Sequence, residues 1–366
     1  MISTTKHTIY FKNANDLSNL EDNSVSLVVT SPPYPMIEMW DGSFASQNPK
    51  IADALKQNNP HDAFELMHEV LDKVWAECYR VLQQGGIACI NIGDATRTIN
   101  KEFQLFPNHS RIISAFLDIG FSNLPNLVWR KQTNAPNKFM GSGMLPPGAY
   151  VTLEHEYILV FRKGNKREFK TAKKSKRRKS SYFWEERNKW FSDLWDFKGT
   201  SQILDKNKIR QRSGAYPFKI PYRLINMFSV RGDTIIDPFL GTGTTILAAI
   251  AAGRNSIGYE LESEFQQIIQ QNMMAKSSLD SINNKIRQRI LNHKRFVKKR
   301  IAEKGKDSIK YVNKFFDFPV MTRQEKKLLL QFVKSIDKDD QKSFKASYIQ
   351  DVLLDYQGSH SLFAQV

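Results

Sequence analysis

Acidic side chains are scarce in this chain. Against 54 Lys and Arg stand 37 Asp and Glu, for a formal net charge of +17. That balance favours a polyanionic partner, nucleic acid first of all. Cysteine is nearly absent: Cys78 and Cys89 are the two that occur. They form no Cys-x-x-Cys pair, so neither a disulfide framework nor a zinc site is expected, and a reducing, cytoplasmic setting fits. His155-Glu156 lacks the spaced second histidine of a zinc helix, so no metal is expected. Long apolar runs are missing too. The N-terminal "MISTTKHTIYFKN" has no signal-type apolar core. The most apolar long stretch, 234–253, is broken by Asp237, Pro238 and a Gly-Thr-Gly turn, which argues against a membrane span.

What is present alternates between two periodicities. "KHTIYF" (6–11) and "SVSLVV" (24–29) read as strands, with a polar, irregular stretch at 35–60 that has the length of a covering loop. The segment 61–82 repeats apolar residues at spacings of three and four (Phe64, Met67, Leu71, Val74, Cys78, Leu82), the signature of an amphipathic helix. "IACINI" (87–92) is a buried-type strand, 110–121 a second helix, and "NLVW" and "EYILVF" two more strands. Strands alternating with helices predict a mostly parallel α/β sheet. The pattern breaks at Lys163. Ten of the seventeen residues 163–179 are Lys or Arg, and an aromatic block, 182–197, follows. The α/β text resumes after Gly214 with "DTIID" (233–237) and "SIGYE" (256–260), and a polar helical tail begins near 262. Four regions are therefore expected: 1–162, 163–212, 213–275 and a helical extension, 276–366.

Two short stretches carry chemistry. "DPFLGTGTTILAAIAAG" is a strand end, a tight glycine turn, a helix and a glycine stop, suited to a nucleotide-like ligand at the carboxyl edge of a sheet. Gly241 and Gly243 permit close backbone approach, and the helix starting near Thr244 leaves free N–H groups to face an anionic group. The loop has no lysine, which excludes a Walker-type phosphate site. Glu260, about twenty residues on, is placed as acceptor for ribose hydroxyls. The other stretch is "TSPPY": a strand breaks at once into Ser31-Pro32-Pro33-Tyr34, and consecutive prolines fix the backbone there.

The pair "SPPY" (31–34) and "FLGTG" (239–243), in that order, resembles the amino-methyltransferases of DNA in the β arrangement, over residues 7–265. The resemblance implies a Rossmann-like methyltransferase sheet with circularly permuted motifs, an inserted target-recognition region, S-adenosylmethionine as methyl donor and double-stranded DNA as substrate. A second copy of the chain is a further candidate partner, and a restriction–modification system the expected setting. In this reading the Ser31 hydroxyl and the Pro32 carbonyl accept the two N–H groups of an exocyclic amine. Pro33 stiffens the corner and removes a competing donor, and Tyr34 offers a face for a flipped base. Asp237, Phe239, Gly241, Gly243 and Thr244 would line the methionine end of the cofactor and Glu260 the ribose. Pro217 and Phe218 match a lead-in motif in which Tyr216 replaces the family's frequent His. Asn13 aligns with a segment near the adenine ring, with an amide where the family has an acid. Serine at the first motif position favours cytosine N4 over adenine N6. Methylation of RNA or of a protein amide, and a non-catalytic nucleic-acid binder, are the alternatives. Lys173, Lys174, Arg177, Arg178, Arg187 and Lys189 are the expected DNA contacts.

Overall fold

The computed structural model describes residues 3–131, 140–170, 172–199 and 216–349. The last part of the expected recognition region, 200–212, therefore lies outside the described residues. Along the chain the central sheet takes β1 (Thr4–Tyr10), β2 (Val25–Thr30), β3 (Leu82–Ile92), β4 (Leu127–Arg130), β5 (His155–Lys163), β6 (Leu194–Asp196), β7 (Thr234–Asp237), β8 (Asn255–Tyr259), β9 (Val333–Lys338) and β10 (Ser343–Tyr348). Their spatial order is β6-β4-β5-β3-β2-β7-β8-β1-β10-β9, and the short strand Phe121–Asn123 adds to β5. The centre, β3-β2-β7-β8-β1, is parallel throughout. On one side β5 runs antiparallel to β3, and on the other β10 runs antiparallel to β1.

From residue 60 onward the helices among the described residues are α1 (Pro60–Val81), α2 (Asn108–Ile119), α3 (Ala172–Lys179), α4 (Trp184–Trp190), α5 (Lys219–Phe228), α6 (Thr244–Ala252), α7 (Phe265–Met274) and α8 (Lys276–Lys304). Pro60 at the first turn and the Asn59 side chain, which accepts from the Asp62 amide, start α1. Its apolar stripe buries Met67, Leu71 and Val74 on the sheet face that carries Val28 and Ile90. The opposite sheet face, with Leu27, Val29 and Ile235, is covered by α5, α6 and α8. β2 is buried on both faces, which is why it reads as an unbroken apolar run.

Two expectations are corrected. The stretch 35–60 holds helical turns at Glu38–Trp40, Asp41–Gln47 and Lys50–Lys56, with Phe44 and Ile51 as buried anchors. The long helix of the C-terminal extension ends at Lys304, and only single 3-10 turns, Lys306–Ser308 and Glu325–Lys327, follow it. The extension then returns to the sheet as β9 and β10, and β10 is tied to β1 by a hydrogen bond between Thr5 Oγ1 and the Tyr348 hydroxyl (2.9 Å). The basic helix α8 docks through an apolar stripe in which Ile286, Ile290 and Val297 are buried. Among the described residues no helix is long and apolar enough to cross a membrane.

α8 also fixes α4. Arg289 donates through Nε and Nη2 to the two Glu186 oxygens at 2.6 and 2.8 Å and reaches the Tyr222 hydroxyl at 3.0 Å. Both charged groups are nearly out of solvent, so removing one strands the other. Arg289→Ala is expected to cost about 3–5 kcal/mol of unfolding free energy, read from denaturant midpoints at unchanged slope. A loss below about 1 kcal/mol would mean that the pair contributes no more than a surface bridge.

Candidate active site

The ends of the parallel strands converge on one cleft. β2 and β7 are neighbours, with Ile235 opposite Leu27 and Ile236 opposite Val28. The proline corner that follows β2 and the glycine turn that follows β7 therefore emerge side by side. A cleft enclosing about 1070 Å³ of empty space lies over them. Ser31, Pro32 and Pro33 line it from one side, and Asp237, Phe239, Gly241 and Thr244 from the other. Glu260, from the end of β8, and Asn13, just after β1, complete the wall.

Buried Asp237 ties the two motifs together. Its Oδ1 accepts from Thr30 Oγ1 (2.5 Å) and the Phe239 amide (3.0 Å). Its Oδ2 accepts from Thr245 Oγ1, with the Tyr216 hydroxyl at 3.5 Å. Burial pushes this carboxyl up, and the hydroxyl and amide donors oppose that. Gly241 and Gly243 have φ of 56° and 88°, the left-handed region that a side chain disfavours. Gly243 begins α6 with no side-chain cap, so the amide end of the helix is open to a ligand.

Glu260 accepts from the amides of Gly241 (2.8 Å) and Glu262 (2.9 Å). Burial dominates these donors and pushes its carboxyl up to about 7. Asn13 donates to Gln47 Oε1 (2.6 Å), so its position is set by the helix Asp41–Gln47. Trp40, Ser43 and Gln47 line the cleft, all from the stretch expected to be an irregular loop. Tyr216 is a lining residue as well, whereas Pro217 and Phe218 are not: the Phe218 ring stacks on Tyr222 at 5.3 Å, behind the wall. Gly243 shapes the turn from just outside the lining.

A hydrogen-bond chain missed by sequence reading runs behind the corner. The Tyr34 hydroxyl donates to Glu156 Oε2 at 3.0 Å. Asn91 Nδ2 donates to the same Glu156 oxygen (2.7 Å) and to the Tyr34 oxygen (2.9 Å). Lys131 Nζ holds Glu156 Oε1 at 2.8 Å. A carboxylate only accepts, so the Tyr34 proton points at Glu156. In the 3.3 Å contact between Ser31 Oγ and the Tyr34 oxygen, Ser31 is then the donor. Asn91 Nδ2 also approaches Ser31 Oγ, at 3.4 Å, so one Ser31 lone pair is shared with it and the other is left for a ligand in the cleft that Ser31 lines. Burial, followed by the Glu156 charge, raises the Tyr34 phenol well above its ordinary value, so the phenol keeps its proton. The Tyr34 ring is packed on Gly93, where an added Cβ would lie 3.0 Å from the ring, and is not among the cleft-lining residues. One signal for this chain was legible: Asn91 and Glu156 are polar residues within otherwise apolar strands, and buried polar groups require partners.

The expected DNA contacts do not reach this cleft. Lys173, Lys174, Arg177 and Arg178 are exposed on α3, and Arg187 and Lys189 on α4. β5 runs antiparallel to β3 and so carries the chain from the carboxyl edge to the opposite edge of the sheet before α3 begins. The aromatic block is chiefly packing: Phe183, Trp190 and Trp195 are buried.

Residues 25–271 match the family model described as DNA methylase, of the N6/N4 type. The chain is 51% identical over 347 residues to the Type II methyltransferase M.MthZI of Methanothermobacter thermautotrophicus, covering 94% of this chain and 95% of that one. It is 52% identical over 284 residues to the Type II methyltransferase M.MjaI of Methanocaldococcus jannaschii, covering 75% and 93%. A putative DNA modification methylase of Thermus thermophilus, solved in complex with S-adenosyl-L-methionine, superposes with a TM-score of 0.57 at 30% identity, over 73% of this chain and 94% of that one.

The mutual placement of Ser31 and Tyr34 gives a structural test. Tyr34→Phe keeps the ring on Gly93 and deletes the group that orders Asn91 and Glu156. It is expected to cost about 1–3 kcal/mol for the unsatisfied buried partners, measured by denaturant unfolding. No loss would show that this hydrogen-bond chain is not formed in solution.

Proposed function

This chain belongs to the amino-methylating DNA methylases of the β arrangement, and from that premise we propose that it is a site-specific Type II modification enzyme that methylates cytosine N4 in duplex DNA. The observation that carries the proposal is the shared cleft: the proline corner and the glycine turn face one cavity, with an unspent acceptor at Ser31.

The cleft fits S-adenosylmethionine in its own chemistry. The uncapped amide end of α6 suits a carboxylate, Phe239 supplies an apolar wall, and Glu260 offers acceptor oxygens to ribose hydroxyls. Asn13 and Gln47 put amide groups on the cleft wall, which would suit the polar edge of an adenine. When bound, the cofactor supplies a methyl group already activated on a sulfonium. What the protein must add is alignment and acceptors for the amine. An exocyclic amine is a poor nucleophile because its lone pair is delocalised into the ring. Ser31 Oγ accepts one of its N–H groups and the Pro32 carbonyl the other, which draws the nitrogen toward a tetrahedral shape and frees the pair. Among the described residues no donor occupies the Pro32 carbonyl, and the double proline holds it without reorganisation at the moment of transfer. The methylated amine must then lose a proton. Ser31 can take it while passing its own to the Tyr34 oxygen, and Tyr34 passes its own to Glu156. Net charge is conserved along that route, and the final acceptor is a carboxylate.

Serine at position 31 favours cytosine N4. The same acceptor pair would serve adenine N6, and the two outcomes separate cleanly in a nucleoside digest. Methyl transfer from labelled S-adenosylmethionine to duplex DNA, followed by chromatography of the nucleosides, should yield N4-methylcytosine. N6-methyladenine would move the enzyme to the sister specificity. Label appearing only in RNA or protein, or in nothing, would remove the DNA reading.

Ser31→Ala is expected to lower the transfer rate by about 10²–10³-fold while cofactor affinity stays within about threefold. Equal losses in both would contradict the acceptor role. Cofactor affinity is expected to weaken as pH falls through about 7, because Glu260 gains a proton there and loses its full acceptor character. Titration by calorimetry at several pH values should show this slope, and Glu260→Gln should abolish it. An unchanged slope in that variant would place the titrating group elsewhere.

A further inference from the structure

The densest positive charge in the chain lies away from the cleft that performs the chemistry. It lines a second cleft, of about 2290 Å³ of empty space, at the amino edge of the parallel strands. The floor is built from Gly85 and Ile87 near the start of β3 and from Ser229 and Val230 just before β7. The catalytic groups leave the same strands at their carboxyl ends. Gly85 and Asn91, both on β3, mark the two edges, and six residues of extended chain separate them by roughly 20 Å.

One wall is α3, with Lys174, Arg177 and Arg178. The other comes from the C-terminal extension, with Lys314, Arg323, Lys326 and Lys327. No acidic residue belongs to the lining. Among the described residues, the one ion pair in this cleft is that of Arg167 with Asp233, at 2.6 and 2.8 Å. The dipole of α3 accounts for cations in its own last turn. It does not account for four more brought opposite them from a distant part of the chain, where like charges repel. The walls are also fixed in place. The Leu329 amide donates to the Lys179 carbonyl (3.1 Å), Ser181 Oγ donates to the Gln324 carbonyl (3.2 Å), and the Arg231 amide donates to Ser180 Oγ (2.8 Å). The guanidinium groups of Arg167 and Arg177 each lie 4.9 Å from the Phe169 ring centroid, which holds Arg177 toward the cleft. A rigid array of guanidinium and ammonium groups, of which Arg167 alone is paired with an acid, matches a phosphate backbone.

We propose that this amino-edge cleft binds the sugar–phosphate backbone of a second DNA segment, distinct from the one whose base enters the catalytic cleft. The proposal rests on the DNA methylase reading for the choice of polyanion. Two edges of one sheet would then hold two stretches of duplex, so the enzyme keeps contact with DNA while its target site is released.

The test uses the full chain and two probes: a short labelled duplex containing the target site, and a non-target duplex of similar length. With the catalytic edge saturated by the first, wild-type protein should still take up one equivalent of the second, read by sedimentation or anisotropy. Lys174→Gln/Arg177→Gln/Arg178→Gln, three exposed positions, should weaken that second binding by about tenfold or more at ~0.1 M salt. It should also flatten the plot of log affinity against log salt by up to about 0.9 per lost phosphate contact. Methylation of the short target duplex should stay within about twofold, which also certifies folding. Arg323→Gln/Lys326→Gln, on the opposite wall, should reproduce the effect. Binding of one duplex only by wild type overturns the proposal, as does uptake of RNA but not DNA by this cleft. A parallel loss of short-duplex methylation in both variants overturns it too, by assigning the cleft to the catalytic complex. Failure of wild type to methylate any duplex would instead strike at the methylase reading itself.

Discussion

The structure depends on one buried carboxylate. Asp237 collects the hydroxyl donors of Thr30 and Thr245 and the amide of Phe239, with the Tyr216 hydroxyl donating in turn to Thr245, and so joins the end of β2, the glycine turn and the first turn of α6. Hydrogen bonds to a charged acceptor contribute about 1.5–3 kcal/mol each, and their loss would leave a charge stranded in the core. With this knot closed, Ser31 and Gly241 cannot drift to different clefts. The parallel pairing of β2 with β7 brings the two motifs to one edge, although more than two hundred residues of sequence stand between them.

Around that knot the two edges of the sheet carry opposite electrostatic assignments. The carboxyl edge holds its acids in defined work. Asp237 is saturated by protein donors, Glu260 faces the glycine turn, and Glu156 sets the direction of the Tyr34 proton and, through it, that of Ser31. Transfer to an amine needs acceptors of fixed polarity, and a serine can serve only if its own proton is committed elsewhere. The amino edge holds cations with few counter-charges, which suits a partner recognised by charge and spacing, not by base.

The chemistry-bearing motifs were legible because each is local. A strand that ends in Ser-Pro-Pro-Tyr and a strand that ends in Gly-x-Gly announce their turns by backbone restriction alone, and the α/β alternation predicted the sheet that unites them. The chain Lys131–Glu156–Asn91 was not legible as a unit, since its members come from β3, β5 and the exit of β4 and meet only through strand pairing. The wall from Trp40 to Gln47 was hidden because its helices are short and polar, with one or two buried anchors each. The basic run was visible as composition, but which edge of the sheet it occupies follows from the antiparallel direction of β5, which composition does not encode. The strands β9 and β10 were read as part of a helical tail because their polar, short text carries little apolar alternation.

The central claim is that Ser31 and the Pro32 carbonyl together grip the amine to be methylated. A crystal structure of the protein with a non-reactive analogue of S-adenosylmethionine and a target duplex measures this directly. The account predicts a cytosine turned out of the helix, its N4 within about 3.2 Å of both Ser31 Oγ and the Pro32 oxygen. A base held with its amine bonded to neither oxygen, or a duplex docked with no base in the cleft, would contradict it.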